Sequence, residues 1–177
     1  MRGIIIYKGK YGATRQYAQW IGEELGIPLF EAGSENGIRM READYIILGT
    51  SVYIGKLQIS KWIEKNIGIL KNKKIYLFLV AGTPPHEIDK LSGYIRAGVP
   101  EELRLKVETF YLPGRLYIAG LSWKDRFMLK MGARLTKDPN EKKSMLTDYD
   151  HVRKDHLTPL FNGIKTMKPG DYLVQKL

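Results

Sequence analysis

The sequence predicts an α/β protein in which helices cover both faces of a parallel sheet. Three observations carry this. Short runs of apolar, largely β-branched residues recur along the chain. Stretches with apolar residues three and four apart separate them. Turns rich in glycine and hydroxyl residues follow the first, third and fourth of the runs. Such alternation marks a doubly wound sheet, with right-handed crossovers and ligands bound beyond the carboxyl ends of the strands.

Ile4-Ile5-Ile6-Tyr7 reads as a strand buried on both faces. Lys8-Gly9-Lys10-Tyr11-Gly12-Ala13-Thr14 is a tight loop, and a helix runs from Arg15 to Leu25. Tyr17, Ala18, Ile21 and Leu25 share one side of that helix, and Gly26 is its stop. Strand, glycine loop and helix aim backbone N–H groups and the positive end of a helix dipole at one point, which suits a phosphate. Thr14 is placed to cap the helix and offer its hydroxyl to the same anion. Gly9 and Gly12 allow a sharp turn and a close backbone approach. An ordinary βα turn without a ligand would also accept these residues, and Lys8 and Lys10 suit either case. Neither the G-x-G-x-x-G of a dinucleotide site nor the G-x-x-x-x-G-K-[ST] of a nucleoside triphosphate loop is present.

Pro28-Leu29-Phe30-Glu31 is a short strand toward an edge, and Ala32 to Arg41 a polar connection, with a helical turn over Arg39 to Glu42. Asp44 to Gly49 is the next buried strand. It ends in Thr50-Ser51-Val52-Tyr53-Ile54-Gly55-Lys56, a loop of small, hydroxyl and aromatic residues. Ile59, Trp62, Ile63, Ile67 and Leu70 lie on one face of a helix from Ile59 to Leu70. Ile75 to Ala81 is a long central strand. Two prolines stiffen the loop Gly82-Thr83-Pro84-Pro85-His86 after it. A helix over Glu87 to Ala97, broken by Gly93, a helical turn over Glu101 to Leu105 and a fifth strand over Val107 to Leu112 complete the alternation.

The last third is less regular. Pro113 to Gly120 is a connection containing Tyr117. Ser122 opens a helix with a capping-box pattern. Trp123, Phe127, Met131 and Leu135 form a stripe on it, with Lys124, Arg126, Lys130 and Arg134 largely outside. Such a stripe normally faces a core. Its basic flanks also suit an anionic membrane surface, and a third reading is a flap over a bound ligand. Lys137 to Lys143 reads as a polar loop around Pro139. A last helix runs from Thr147 or Asp148 toward Asn162, interrupted near Pro159, with a loosely attached tail from Lys165.

Composition sets the outer bounds. A chain of 177 residues with 44% hydrophobic content fits one domain, 1–177, with its own core. No apolar run approaches the roughly 20 residues of a membrane span, and the first residues lack a signal-peptide design. Without cysteine there are no disulfides, no thiolate catalysis and no cysteine-held clusters. His86, His151 and His156 are too scattered for a metal site. The net charge of +10 favours acidic partners. Nucleic acid is not among those expected, since no basic stripe with exposed stacking aromatics is evident.

Gly9 to Thr14, the Gly49-Thr50-Ser51…Gly55 loop and the alternation together resemble the flavodoxin fold. This implies a five-stranded parallel sheet of order 2-1-3-4-5, an extra helical segment after strand 5, and FMN as cofactor. Leu121-Ser122-Trp123-Lys124-Asp125-Arg126-Phe127-Met128-Leu129-Lys130-Met131, placed after the fifth strand, is similar to a segment of the flavodoxin-type protoporphyrinogen oxidases. Those oxidise protoporphyrinogen and pass electrons to a quinone. The resemblance implies that Lys8, Gly9, Lys10, Tyr11, Gly12, Ala13 and Thr14 hold the FMN phosphate. Ser51, Val52, Tyr53, Ile54 and Gly55 would border one side of the ring, with Tyr53 stacking or merely packing on the next helix. Ala81, Gly82, Thr83 and Pro84 would border the other. The flavin carries the redox chemistry, so no catalytic side chain is expected. Arg115, Lys124, Arg126 and Lys130 are the candidate cations for substrate propionates. The partner implied is a small-molecule or quinone redox partner. The location implied is cytoplasmic, with peripheral contact at the inner face of the membrane through 122–135 left open. The alternative within the fold is an electron-transfer flavodoxin with no substrate of its own. Its usual acidic surface contrasts with the basic balance here.

Overall fold

The computed structural model describes residues 1–166. The tail expected from Lys165 lies outside them, apart from Lys165, which ends the last helix, and Thr166. β1 (Gly3–Lys8) and α1 (Ala13–Leu25) open the chain, followed by β2 (Leu29–Glu31) and α2 (Gly37–Glu42). β3 (Tyr45–Tyr53) folds back through β4 (Lys56–Leu57), and α3 (Ser60–Leu70) leads to β5 (Lys74–Ala81). α4 (Ile88–Gly98) and α5 (Glu101–Arg104) lead to β6 (Val107–Pro113). Then come β7 (Arg115–Leu116), α6 (Trp123–Leu135), α7 (Pro139–Met145), β8 (Tyr149–Asp150) and α8 (Thr158–Lys165).

The main sheet runs β2-β1-β3-β5-β6, all parallel. Setting aside β4, which pairs antiparallel with the end of β3, this is the expected order 2-1-3-4-5. The strands alternate their apolar residues between two faces. Ile4, Ile6, Ile46, Leu48, Leu77 and Leu79 pack toward α3 and α4, meeting Ile59, Ile63, Leu91 and Ile95. Ile5, Ile47, Tyr76, Phe78 and Val80 pack toward α1 and α8, meeting Tyr17, Ile21, Leu160 and Ile164. Both faces of the central strands are therefore covered, which is why they read as continuous apolar runs rather than alternating ones.

Four expectations change. Gly93 does not break α4, which runs through it; one glycine in a helix costs only about 1 kcal/mol, and Leu91 and Ile95 repay it by burial. Most of 137–143 is not a loop: Asp138 caps α7 by accepting from the Asn140 amide, with Pro139 in the first turn, where proline fits. The long final helix is instead β8, a 3-10 turn over Lys154–Leu157, and α8. Pro159 begins that helix rather than interrupting it, again because a first-turn proline forfeits no helical bond.

The fourth change concerns α6. Its expected core stripe faces out: Trp123 is 74% exposed, Phe127 59% and Leu135 77%, while Asp125 and Ala133 are buried. The reading of this helix as a core helix is thereby overturned. The two sheet faces are already covered, by α3 and α4 on one side and by α1 and α8 on the other, so no sheet face remains for the stripe to cover.

Tyr17 of α1 is fully buried beneath the sheet's end. Its hydroxyl donates to the Pro113 carbonyl at 3.0 Å and accepts from the Arg153 amide at 3.4 Å. Burial is the main cause that pushes its pKa from 10.0 up to about 12. The folded state thus holds the neutral phenol while the unfolded chain ionises first. Stability should be flat below pH 10 and fall by about 2–3 kcal/mol as pH rises to about 12. Urea midpoints measured across that window check this, and Tyr17→Phe should remove its share of the decline.

Candidate functional site

β1, β3 and β5 end side by side, and the loops that follow them converge where the strand order reverses. In α1 the first intrahelical bond runs from the Gln16 amide to the Gly12 carbonyl at 2.9 Å. The amides of Ala13, Thr14 and Arg15 therefore point out of the helix end. Gly12 turns into this end with φ 84°, a left-handed conformation that glycine adopts without penalty, and a Cβ there would meet open space.

Thr14 does not cap the helix as expected. The helix begins at Ala13, two residues early, so Thr14 sits inside its first turn, 2% exposed. Its Oγ1 is buried without a hydrogen-bond partner. Gly9 lies directly against it: a Cβ on Gly9 would fall 2.5 Å from Thr14 Oγ1 and 2.6 Å from its Cβ. An orphaned hydroxyl costs about 1–3 kcal/mol. Here it faces a glycine loop beside free amides, so an anion accepting from both would satisfy it.

The lysines of the loop are engaged. Lys8 pairs with Glu31 at 2.8 Å and Lys10 with Asp125 at 2.6 Å. The hydrogen bond to Asp125, and then that to Tyr53, raises the Lys10 pKa above its ordinary value.

The second loop is shorter than its sequence suggests. β3 continues through Ser51, Val52 and Tyr53, leaving only Ile54 and Gly55 at the tip of a hairpin with Tyr53 opposite Lys56. Ser51, Val52 and Tyr53 are half-buried; Ile54 and Gly55 are exposed. Both tip residues have positive φ, 49° and 69°, the geometry of a two-residue hairpin turn that prefers Asn-Gly. A β-branched residue is strained there by about 1–2 kcal/mol, and such strain collects at functional loops. Ile54→Asn is expected to raise stability by about 1 kcal/mol, read from the urea midpoint. An unchanged or lower midpoint would show that the isoleucine side chain compensates by packing.

In the third loop Ala81 is buried, Thr83 half-buried, and Gly82 and Pro84 exposed. A Cβ on Gly82 would lie 2.3 Å from the Tyr149 hydroxyl. Tyr149, on β8, stacks on His151 with centroids 5.1 Å apart. Loop and β8 are also tied through the Gly114 amide to the Ala81 carbonyl at 2.9 Å and the His151 amide to the Gly114 carbonyl at 3.1 Å.

Sequence reasoning passed over two residues of this site. Asp125 appeared within a capping pattern and within the Leu121–Met131 segment, with no role of its own. Ser122 does accept from the Asp125 amide at 3.2 Å, but the Asp125 carboxylate reaches the other way, to Lys10, Tyr11 and Tyr53. A lone carboxylate between Lys124 and Arg126, on a helix with an apolar stripe, was the available signal. For Tyr149 there was none.

The four candidate substrate cations are not gathered into one pocket. Arg115 faces Asp150 across 3.7 Å. Arg126 donates to the carbonyls of Leu121 at 3.1 Å and Ala119 at 3.2 Å, bracing the turn before α6. Lys124 lies 5.6 Å from the Trp123 ring, and Lys130 is exposed. Among the described residues no group of three or more His, Asp or Glu side chains is placed to hold a metal ion.

A doubly wound sheet of this order, with a glycine turn and a helix N-terminus after β1 and two more loops beside it, defines a class: the α/β proteins that seat a nucleotide at a topological switch point. The model of the flavodoxin domain family matches residues 4–143, and the chain belongs to that family. Solved structures similar in fold include a flavodoxin from the domain Archaea. It is 18% identical, covering 72% of this chain and 90% of that one, with a TM-score of 0.41. A flavoprotein from Lactobacillus acidophilus NCFM, in complex with FMN, is 16% identical over 63% of this chain and 91% of its own, TM-score 0.44. The flavodoxin of Streptococcus pneumonia TIGR4 is 16% identical over 56% and 78%, TM-score 0.38. No curated protein matches.

The cofactor that goes with this family is FMN. The first loop fits its phosphoryl end on two counts: the orphaned Thr14 hydroxyl, and the Gly9–Thr14 contact that leaves no room for a side chain inside the turn. Gly9, Gly12, Ala13 and Thr14 would hold the phosphate. Tyr53 and the Gly82-Thr83 backbone would border the ring.

Proposed function

We propose that this chain is an FMN-dependent oxidoreductase that takes electrons from a porphyrinogen and delivers them to a quinone, as the flavodoxin-type protoporphyrinogen oxidases do. Bound flavin supplies the electron transfer; the chain binds and orients it and receives the substrate. One observation carries the step from flavoprotein to enzyme. An added arm, α6, is tied to the flavin loops through Asp125 and offers exposed Trp123, Phe127 and Met131 beside Lys124, Lys130 and Arg134. A planar apolar substrate with carboxylates, or a bilayer that dissolves a quinone, meets such a surface. The net charge of +10 agrees with an anionic partner.

Among the described residues no helix is long and apolar enough to cross a membrane. We place the chain in the cytoplasm, touching the inner face of the membrane through α6. The test is turnover: protein loaded with FMN is expected to oxidise protoporphyrinogen with a quinone or dye acceptor. Loaded protein that does not turn over, yet exchanges electrons with a flavodoxin reductase, would establish the second reading, an electron carrier. The same FMN cradle supports that reading equally.

A further inference from the structure

On α6 the ordinary preference is reversed: apolar rings lie in solvent while the Asp125 carboxylate is 7% exposed. Burying a carboxylate costs free energy unless donors replace the lost water. Three do: Lys10 Nζ at 2.6 Å and the phenols of Tyr11 and Tyr53. Lys10 Nζ also stands 3.1 Å from the Tyr53 hydroxyl and 4.3 Å from its ring centroid. All three donors belong to the two loops that the FMN reading assigns to phosphate and ring. A single carboxylate from outside the five-stranded unit thus fixes both loops at once. Satisfied networks of this kind select one geometry, and charge-assisted bonds make the selection firm.

We propose, resting on the FMN reading, that Asp125 is a positioning residue for the flavin. It sets Lys10 beside the phosphate loop and Tyr53 beside the ring, so cofactor affinity and ring environment depend on where α6 sits. By linkage the dependence is reciprocal. Bound FMN holds α6 in place, and whatever draws α6 away loosens FMN.

The experiment is a titration of FMN into full-length wild-type, Asp125→Asn and Asp125→Glu proteins, followed by quenching of flavin fluorescence. The midpoint potential of the bound flavin is measured alongside. Asp125→Asn keeps the shape but removes the charge and turns a donor NH2 toward groups that themselves donate. It is expected to bind FMN at least tenfold more weakly and to raise the potential, because a negative charge leaves the flavin's surroundings. Asp125→Glu should recover part of both. FMN should also slow tryptic cleavage within α6 in wild type and not in Asp125→Asn. If Asp125→Asn fails to fold, Tyr11→Phe with Tyr53→Phe removes two of the three donors while keeping the rings, and weaker FMN binding is expected there too. Affinity and potential equal to wild type in a folded variant would overturn the proposal alone. Wild-type protein that takes up no FMN would bring down the cofactor reading and this inference together.

Discussion

Gly9→Ala is expected to weaken FMN binding by about a hundredfold, close to 2.7 kcal/mol. The added methyl would lie 2.5 Å from Thr14 Oγ1 and 2.6 Å from Thr14 Cβ, inside any permitted contact. Thr14 cannot yield, because it is 2% exposed in the first turn of a helix packed on the sheet. The loop must therefore move, and with it the line of amides that an anion needs. Hydrogen bonds to a charged group are worth about 1.5–3 kcal/mol each, so losing one or two accounts for the size. Thr14→Val separates this from general damage, since it removes the orphaned hydroxyl while keeping the shape. The protein without FMN should gain about 1 kcal/mol of stability and bind FMN about tenfold more weakly. Flavin fluorescence titration and thermal melting read the two effects. Gly9→Ala binding FMN as wild type does would mean that this turn does not grip the phosphate.

The second large effect belongs to α6. A triple variant, Trp123→Ser with Phe127→Ser and Leu135→Ser, should lose association with vesicles of anionic lipid while keeping both its FMN and its stability. Burying three such side chains in a bilayer interface is worth on the order of 5 kcal/mol, so the partition coefficient should fall by several orders of magnitude. These residues are 74%, 59% and 77% exposed; were they core residues, each truncation would instead cost about 2–5 kcal/mol of folding stability. Co-sedimentation at two salt concentrations, with a urea curve for each protein, decides between these outcomes. Wild-type protein that never sediments with vesicles would leave the stripe to a soluble ligand and end the membrane reading.

The sheet was legible because burial on both faces writes itself into a strand as an unbroken apolar run. Ile4 to Tyr7 and Ile75 to Ala81 needed no other clue. Elements after β6 were misread because periodicity says that one side of a helix is apolar but not what lies against it. The stripe from Trp123 to Leu135 is as regular as that of α1, yet it finds no sheet beneath it. Proline was read as a breaker at Pro139 and Pro159, where the first-turn position made it a starter. The phosphate loop could be placed by its glycines. Its state could not be read from sequence: Thr14 is orphaned rather than capping because the helix starts two residues early, and Lys10 is already paired with a residue far along the chain. Asp125, which is 115 residues from Lys10 in sequence, is the clearest case.

The family likeness stops at residue 143, but the molecule's interior does not. Leu157, Leu160 and Ile164 are 0%, 0% and 6% exposed, filling the sheet face beside Tyr76 and Phe78. A polypeptide trimmed to the matched length would lay those aromatic rings bare to water, inviting self-association before any flavin could be offered. The matched segment and the segment that fills this interior differ in length, and the longer one is the one to express.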